Sequence, residues 1–228
     1  MADEPVLSAA TMAQAAGFEV TIPPAIVLVF DESLMPRTRR RKPAGSQHPF
    51  RQMAALDDQV SVVCAAGPGA PSAAVAMEFL AAFGAETVVA VGSAGDLHGS
   101  LSPSMHAVSS AVSDEGTSGF YSTDLSADAQ LSTRLADRAG GDMITTLTTD
   151  VPFRHTAARL EQHRLVADVV EMECAAIFSV ANAVGVRAGA LLVVSDHFEA
   201  SRWRMRDRAE VRRQLQDAVA AAVATLCP

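Results

Sequence analysis

The sequence predicts an α/β fold: one domain with a central mixed, mostly parallel twisted sheet flanked by helices. Two observations carry this. Short, continuous apolar runs recur along the chain, and segments of helical periodicity separate them. The composition agrees. Of 228 residues 49% are hydrophobic but only 5% aromatic, with alanine and valine dominant, which suits close packing of helices on a sheet. The length fits a single domain over 1–228, with 1–20 as a loose lead-in or short helix.

Each element has its own signal. AIVLVF (25–30), between Pro23-Pro24 and Asp31-Glu32, reads as a strand covered on both faces. VSVVCAA (60–66) is a second strand, and TVVAV (87–91), stopped by Gly92, a third. MHAVSSAV (105–112), MITTLTT (143–149), VVEM (169–172) and GALLVVS (189–195) complete the set. Residues 72–83 are Ala-rich and helical, with Ser72 as N-cap behind Pro71. Residues 127–138 and 156–166 are amphipathic. ECAAIFSVANAV (173–184) is apolar nearly all round, so its helix is buried. Val211, Leu215, Val219, Val223 and Leu226 mark a last helix that packs by one stripe. Residues 37–50 and 113–124 read as long loops.

Charge and cysteine content narrow the function. A net charge of −8 argues against a general nucleic-acid binder. Cys64, Cys174 and Cys227 are scattered and odd in number, giving neither a disulfide framework nor a metal pair. No apolar run is long enough to span a bilayer, and the N-terminus starts acidic rather than basic, so a cytoplasmic protein is expected.

Ligands of open α/β sheets sit beyond the carboxyl ends of strands, so polar residues there are the candidates. Three ends qualify. Gly92-Ser93-Ala94-Gly95 is a glycine-rich turn at which the backbone can approach an anion, or simply a tight packing turn. Glu171-Met172-Glu173 places two carboxylates where a strand becomes a buried helix. Glu173, at the first turn of the helix, is either a capping carboxylate or accepts hydrogen bonds from a sugar diol. Ser195-Asp196-His197 ends a buried strand; Asp196 is either tied up by backbone N–H groups or faces a site and serves a leaving group.

VGSAGDL, TTDVPFR (148–154), VEMECAAIF and VVSDHF occur in this order. Together, over about residues 60–200, they resemble the nucleoside phosphorylase and nucleosidase superfamily, which includes purine nucleoside and uridine phosphorylases and nucleosidases of methylthioadenosine and adenosylhomocysteine. The resemblance implies cleavage of a ribose–base N-glycosidic bond. It implies Glu173 on the ribose hydroxyls, Met172 beneath the sugar, and Glu171 shaping the base pocket. Asp196, with Ser195 beside it, serves the departing base. Phe153 stacks on the base, though Pro152 competes for that register. Ser93, in its turn with Gly92, meets phosphate. The Ser-Asp pair, absent from uridine phosphorylases of the enteric type, tilts the base toward a purine.

The partners implied are a nucleoside and phosphate, with a homo-oligomer, hexamer or dimer. No cofactor beyond the phosphate co-substrate, no metal, no nucleic acid and no membrane are implied.

The choice of acceptor stays open. Bacterial purine phosphorylases carry an arginine three residues before the serine of the GS turn; here Ala90 stands there. Their first strand is followed by a Gly-Asp-Pro…Arg phosphate loop, in place of which Phe30-Asp31-Glu32-Ser33-Leu34-Met35-Pro36-Arg37 stands here. Nucleosidases use a carboxylate near this point to activate water, a part open to Asp31 or Glu32. The run Arg37, Arg39, Arg40, Arg41 and Lys42 favours phosphate, through Arg37, Arg39 or Arg40, unless it is a solvated loop. A nucleoside-binding relative without turnover is the third possibility. His48, His106, His155 and His197 are candidate 5′-hydroxyl ligands, and Trp203, flanked by Arg202 and Arg204, is either a closing element over the base or packing.

Overall fold

The computed structural model describes residues 5–18, 20–36, 49–102, 104–199 and 202–227. Among the described residues nine strands join one sheet: β1 (Ala25–Val29), β2 (Gln52–Ala55), β3 (Val60–Cys64), β4 (Thr87–Asp96), β5 (Met105–Asp114), β6 (Met143–Thr149), β7 (Val169–Glu171), β8 (Arg187–Glu199) and β9 (Arg202–Met205). The helices are α1 (Ala9–Ala16), α2 (Ala70–Ala82), α3 (Ala129–Ala139), α4 (Ala157–Arg164), α5 (Cys174–Val184) and α6 (Arg208–Leu226).

The strand order is β2-β3-β1-β4-β7-β6-β5-β8-β9, and β4 also pairs with β8. That extra pairing closes β4, β7, β6, β5 and β8 into a ring, with β1, β3 and β2 as a wing on one side and β9 on the other. The sheet is mixed: β1–β3, β1–β4, β4–β8, β5–β6 and β6–β7 run parallel, and the remaining four pairs antiparallel.

Burial explains the unbroken apolar runs. On β1, Ile26 and Leu28 pack toward α2 and α5, whereas Val27 and Val29 pack toward α6. Both faces are covered, so period-two alternation is absent. Helix α5 is buried from Cys174 to Ala181, as its composition requires. Gly189 lets α3 approach β8: a Cβ there would stand 2.9 Å from Leu135.

Several boundaries differ from the sequence reading, β8 among them, which runs over Arg187–Glu199 rather than 189–195. β4 does not stop at Gly92 but continues to Asp96, because β8 runs beside it and supplies ladder partners for Ser93 to Asp96 across a bulge at Ala94/Gly95. Helix α2 starts before Ser72: Gly69, at φ 98°, is the N-cap, Pro71 fits the first turn, and the Ser72 hydroxyl accepts the Gly67 N–H at 3.1 Å. The short strands β2 and β9 have no sequence signal beyond their neighbours. No helix among the described residues is long and apolar enough to cross a membrane.

Candidate active site

The carboxyl ends of β1, β4 and β8, with the chain after β6 and the β7–α5 junction, surround a cavity of about 680 Å³. Its lining includes Gly92, Ser93, Glu171, Met172, Glu173, Ser195, Asp196 and Phe153, so all three strand ends open into one space.

The two glutamates divide their work. Glu171, at the end of β7, turns its carboxylate into the start of α5. Oε2 accepts the N–H groups of Glu173 at 2.7 Å and Cys174 at 2.8 Å, and Oε1 accepts the Thr148 hydroxyl. Glu171 is therefore the helix cap, although it also lines the cavity. Glu173 is the N-cap residue by position but makes no side-chain cap bond. Its Oε1 reaches across to the Gly69 N–H at 2.6 Å, which anchors the carboxylate at the start of α2. Burial and then the neighbouring Glu171 push the Glu173 carboxyl up to about 7. Burial likewise raises Glu171, against the pull of its donors.

Asp196 has a donor for each carboxylate oxygen: the Ser195 hydroxyl to Oδ1 at 2.6 Å and the Trp203 indole N–H to Oδ2 at 2.8 Å. Gly95 lies against it. A Cβ at Gly95 would sit 2.7 Å from Asp196 Oδ2 and 2.8 Å from Phe198 Cε2, so only glycine leaves room for the acid and the ring. On the reverse side, buried Asp96 accepts N–H groups from His98, Gly99 and Leu101 at 2.8–2.9 Å and contacts His197 Nδ1 at 3.3 Å. Burial alone would raise the Asp96 carboxyl, but these donors outweigh it and hold it below the ordinary value.

The remaining candidates separate. Phe153 stands at the mouth, 96% exposed, in the 3₁₀ turn 152–154, and Pro152 beside it also lines the cavity. Asp31 lines the cavity while accepting the Ser33 N–H, whereas Glu32 is drawn off by Arg51. Of the four histidines, His155 alone among the described residues reaches the cavity; its ring packs edge-on against His163 and Phe198. His197 turns to Asp96, His106 is buried against the Ser102 carbonyl, and His48 lies outside the described residues. Arg37, Arg39, Arg40, Arg41 and Lys42 also lie outside them.

Phe198 and Gly69 were not foreseen. Phe198 is two residues beyond Asp196 on the same strand face, a signal hidden by ending β8 at Ser195. Gly69 had no signal, since its partner Glu173 is 104 residues away. Among the described residues no group of three or more His, Cys, Asp or Glu side chains is arranged to hold a metal.

The model of the phosphorylase superfamily matches residues 37–227. The chain belongs to that superfamily. A guanosine phosphorylase of Halorubrum lacusprofundi is 29% identical to this phosphorylase-superfamily chain over 157 residues, 64% of its length, and the match spans 65% of that relative. In fold it resembles a purine nucleoside phosphorylase of Toxoplasma gondii crystallised with immucillin-H (TM-score 0.74, 19% identity, 90% of each chain). It also resembles a uridine phosphorylase of Vibrio fischeri ES114 (TM-score 0.73, 18% identity, 90% of this chain and 92% of that one). At such identities the likeness is one of fold.

Proposed function

We propose that this superfamily member is a nucleoside phosphorylase that cleaves a purine nucleoside with phosphate, giving the free base and ribose 1-phosphate. The observation that carries the reading is the span of the cavity. Glu173 stands at one side, anchored but open to a sugar diol, Asp196 stands at the other with its carboxylate oriented, and the Gly92-Ser93 segment of β4 lies on its wall.

In the proposed reaction a phosphate oxygen bonds to C1′ as the C1′–N bond breaks. The bond electrons leave with the base, which takes up a proton. The sugar passes through an oxocarbenium-like state, and the Glu173 charge favours that developing cation while its oxygens hold the two hydroxyls. Asp196 meets the base at a nitrogen whose proton changes hands. Ser93 donates to phosphate. No cofactor enters beyond phosphate, and a homo-oligomer, hexamer or dimer, belongs to the same proposal.

Hydrolysis is the second reading, favoured by two observations. Asp31 lines the cavity near the sheet end and Ala90 supplies no cation. Base release from a purine nucleoside panel, followed chromatographically with and without phosphate, decides. Release that needs phosphate and yields ribose 1-phosphate supports phosphorolysis; release indifferent to phosphate overturns it in favour of water activated by Asp31.

A further inference from the structure

The chain has a single tryptophan, Trp203, which the reaction above does not use. It lies on β9, which pairs antiparallel with the end of β8 in the register Asp196↔Met205, His197↔Arg204, Phe198↔Trp203 and Glu199↔Arg202. Side chains alternate along a strand, so Asp196, Phe198, Trp203 and Met205 share one face. The opposite face is engaged elsewhere: His197 contacts Asp96, and Arg204 pairs with Glu199 at 3.3 Å.

On the first face Asp196, Phe198 and Trp203 all line the cavity. All four side chains of β9 are exposed, so this hairpin adds nothing to the core. Trp203 is itself 55% exposed, leaving a large flat apolar surface in water. Its one polar atom has a specific task. The indole N–H is a donor only, and it fills Oδ2 of Asp196 while Ser195 fills Oδ1. Two fixed donors on two oxygens lock the plane of the carboxylate.

We propose that Trp203 is a positioning residue for Asp196, and that its exposed ring is the flat wall against which the nucleobase settles. The proposal rests on the reading of the cavity as a nucleoside site. It assigns the β8–β9 hairpin to function rather than packing: the indole fixes the direction in which Asp196 presents its lone pairs, and the ring limits how the base can tilt toward them.

Two variants and one spectroscopic signal test it. W203F keeps an aromatic ring without the donor; W203H restores a ring N–H on a smaller ring. Steady-state kinetics on a purine nucleoside cleaved by the wild type should show W203F losing about tenfold or more in kcat with KM changed by less than about threefold, as expected for a misdirected group. W203H should recover a clear part of that loss. Tryptophan emission of the wild-type protein, excited where Tyr121 does not absorb, reports on this residue alone, and it should change saturably on adding the nucleoside without phosphate. W203F with kcat within about twofold of wild type overturns the positioning role. Equal losses in both variants, tracking a lowered melting temperature, also overturn it, as a structural effect. A cleaved nucleoside that leaves the emission unchanged overturns the wall. Should the wild type neither cleave nor respond in emission to any nucleoside, the nucleoside reading falls and takes this proposal with it; retained turnover in W203F removes this proposal only.

Discussion

Glu171 and Glu173 are separated by the single residue Met172, yet their carboxylates do different things. The difference comes from direction. Glu171 ends a buried strand and points along the start of α5, where two N–H groups and a threonine hydroxyl await it. Glu173 instead takes the Gly69 N–H across the cavity, which it also lines, and stays available to a ligand. Its raised carboxyl has a consequence for stability. The folded state binds the proton more tightly than the unfolded chain, so this group's contribution is fully present below about pH 4.5 and is lost as pH rises through about 7. Glu173→Gln escapes that loss. Urea unfolding should find the variant gaining on wild type between pH 5 and 8, by up to about 3 kcal/mol at pH 8. Its turnover should nevertheless fall about 100-fold or more, since a neutral amide no longer favours the sugar cation. A variant that gains no relative stability with pH would show that Glu173 is ionised at no cost. Gly95→Ala is the second test at this scale. The added methyl must displace the Asp196 carboxylate and the Phe198 ring, so activity should fall much further than the melting temperature does. Equal kcat would mean that the acid moves without consequence.

Among the elements, β4 and β8 show what pairing adds to propensity. Gly92, Ser93 and Gly95 are poor strand residues, yet they lie in β4 because β8 offers a ladder along its whole length. The bulge at Ala94/Gly95 then re-aims the strand end where Asp196 needs space. The link from α3 to β6 is similarly constrained. A Cβ at Gly141 would lie 2.0 Å from the Met105 carbonyl oxygen, a backbone atom held in β5. Gly141→Ala should therefore cost more than about 2 kcal/mol in chemical denaturation, because the strand and not a rotamer must yield. A cost below about 0.5 kcal/mol, typical of tolerated surface changes, would mean that the α3–β6 connection shifts freely.

At the scale of the molecule, the cavity is assembled from the ends of β1, β4 and β8, the turn after β6, the β7–α5 junction and the hairpin strand β9. All belong to one sheet whose ring closes through β4–β8. Ligand energy is thus passed to the whole sheet through these strand ends, and unfolding should be a single transition that shifts as a whole. A nucleoside present at about 100 times its Kd should add about 2.7 kcal/mol, which moves the melting temperature by about 5–10 °C for a chain of this size. Two transitions in calorimetry, only one of them responsive to nucleoside, would contradict this.

The sequence by itself determined the α/β class, the covered strands and the buried helix α5, because burial on both faces leaves an unbroken apolar run that needs no partner to be recognised. It also marked Ser93, Glu171, Glu173, Ser195 and Asp196, since polar residues at the ends of such runs are costly unless used. Only the tertiary structure decided which glutamate caps α5 and which reaches across the cavity to Gly69, that Asp31 rather than Glu32 lines it, and that Trp203 touches Asp196. Those outcomes depend on directions and distant partners: Gly69 lies 104 residues from Glu173, and Thr148 lies 23 from Glu171. Such contacts leave no local trace, because the groups that satisfy a buried carboxylate are neighbours in space and not along the chain.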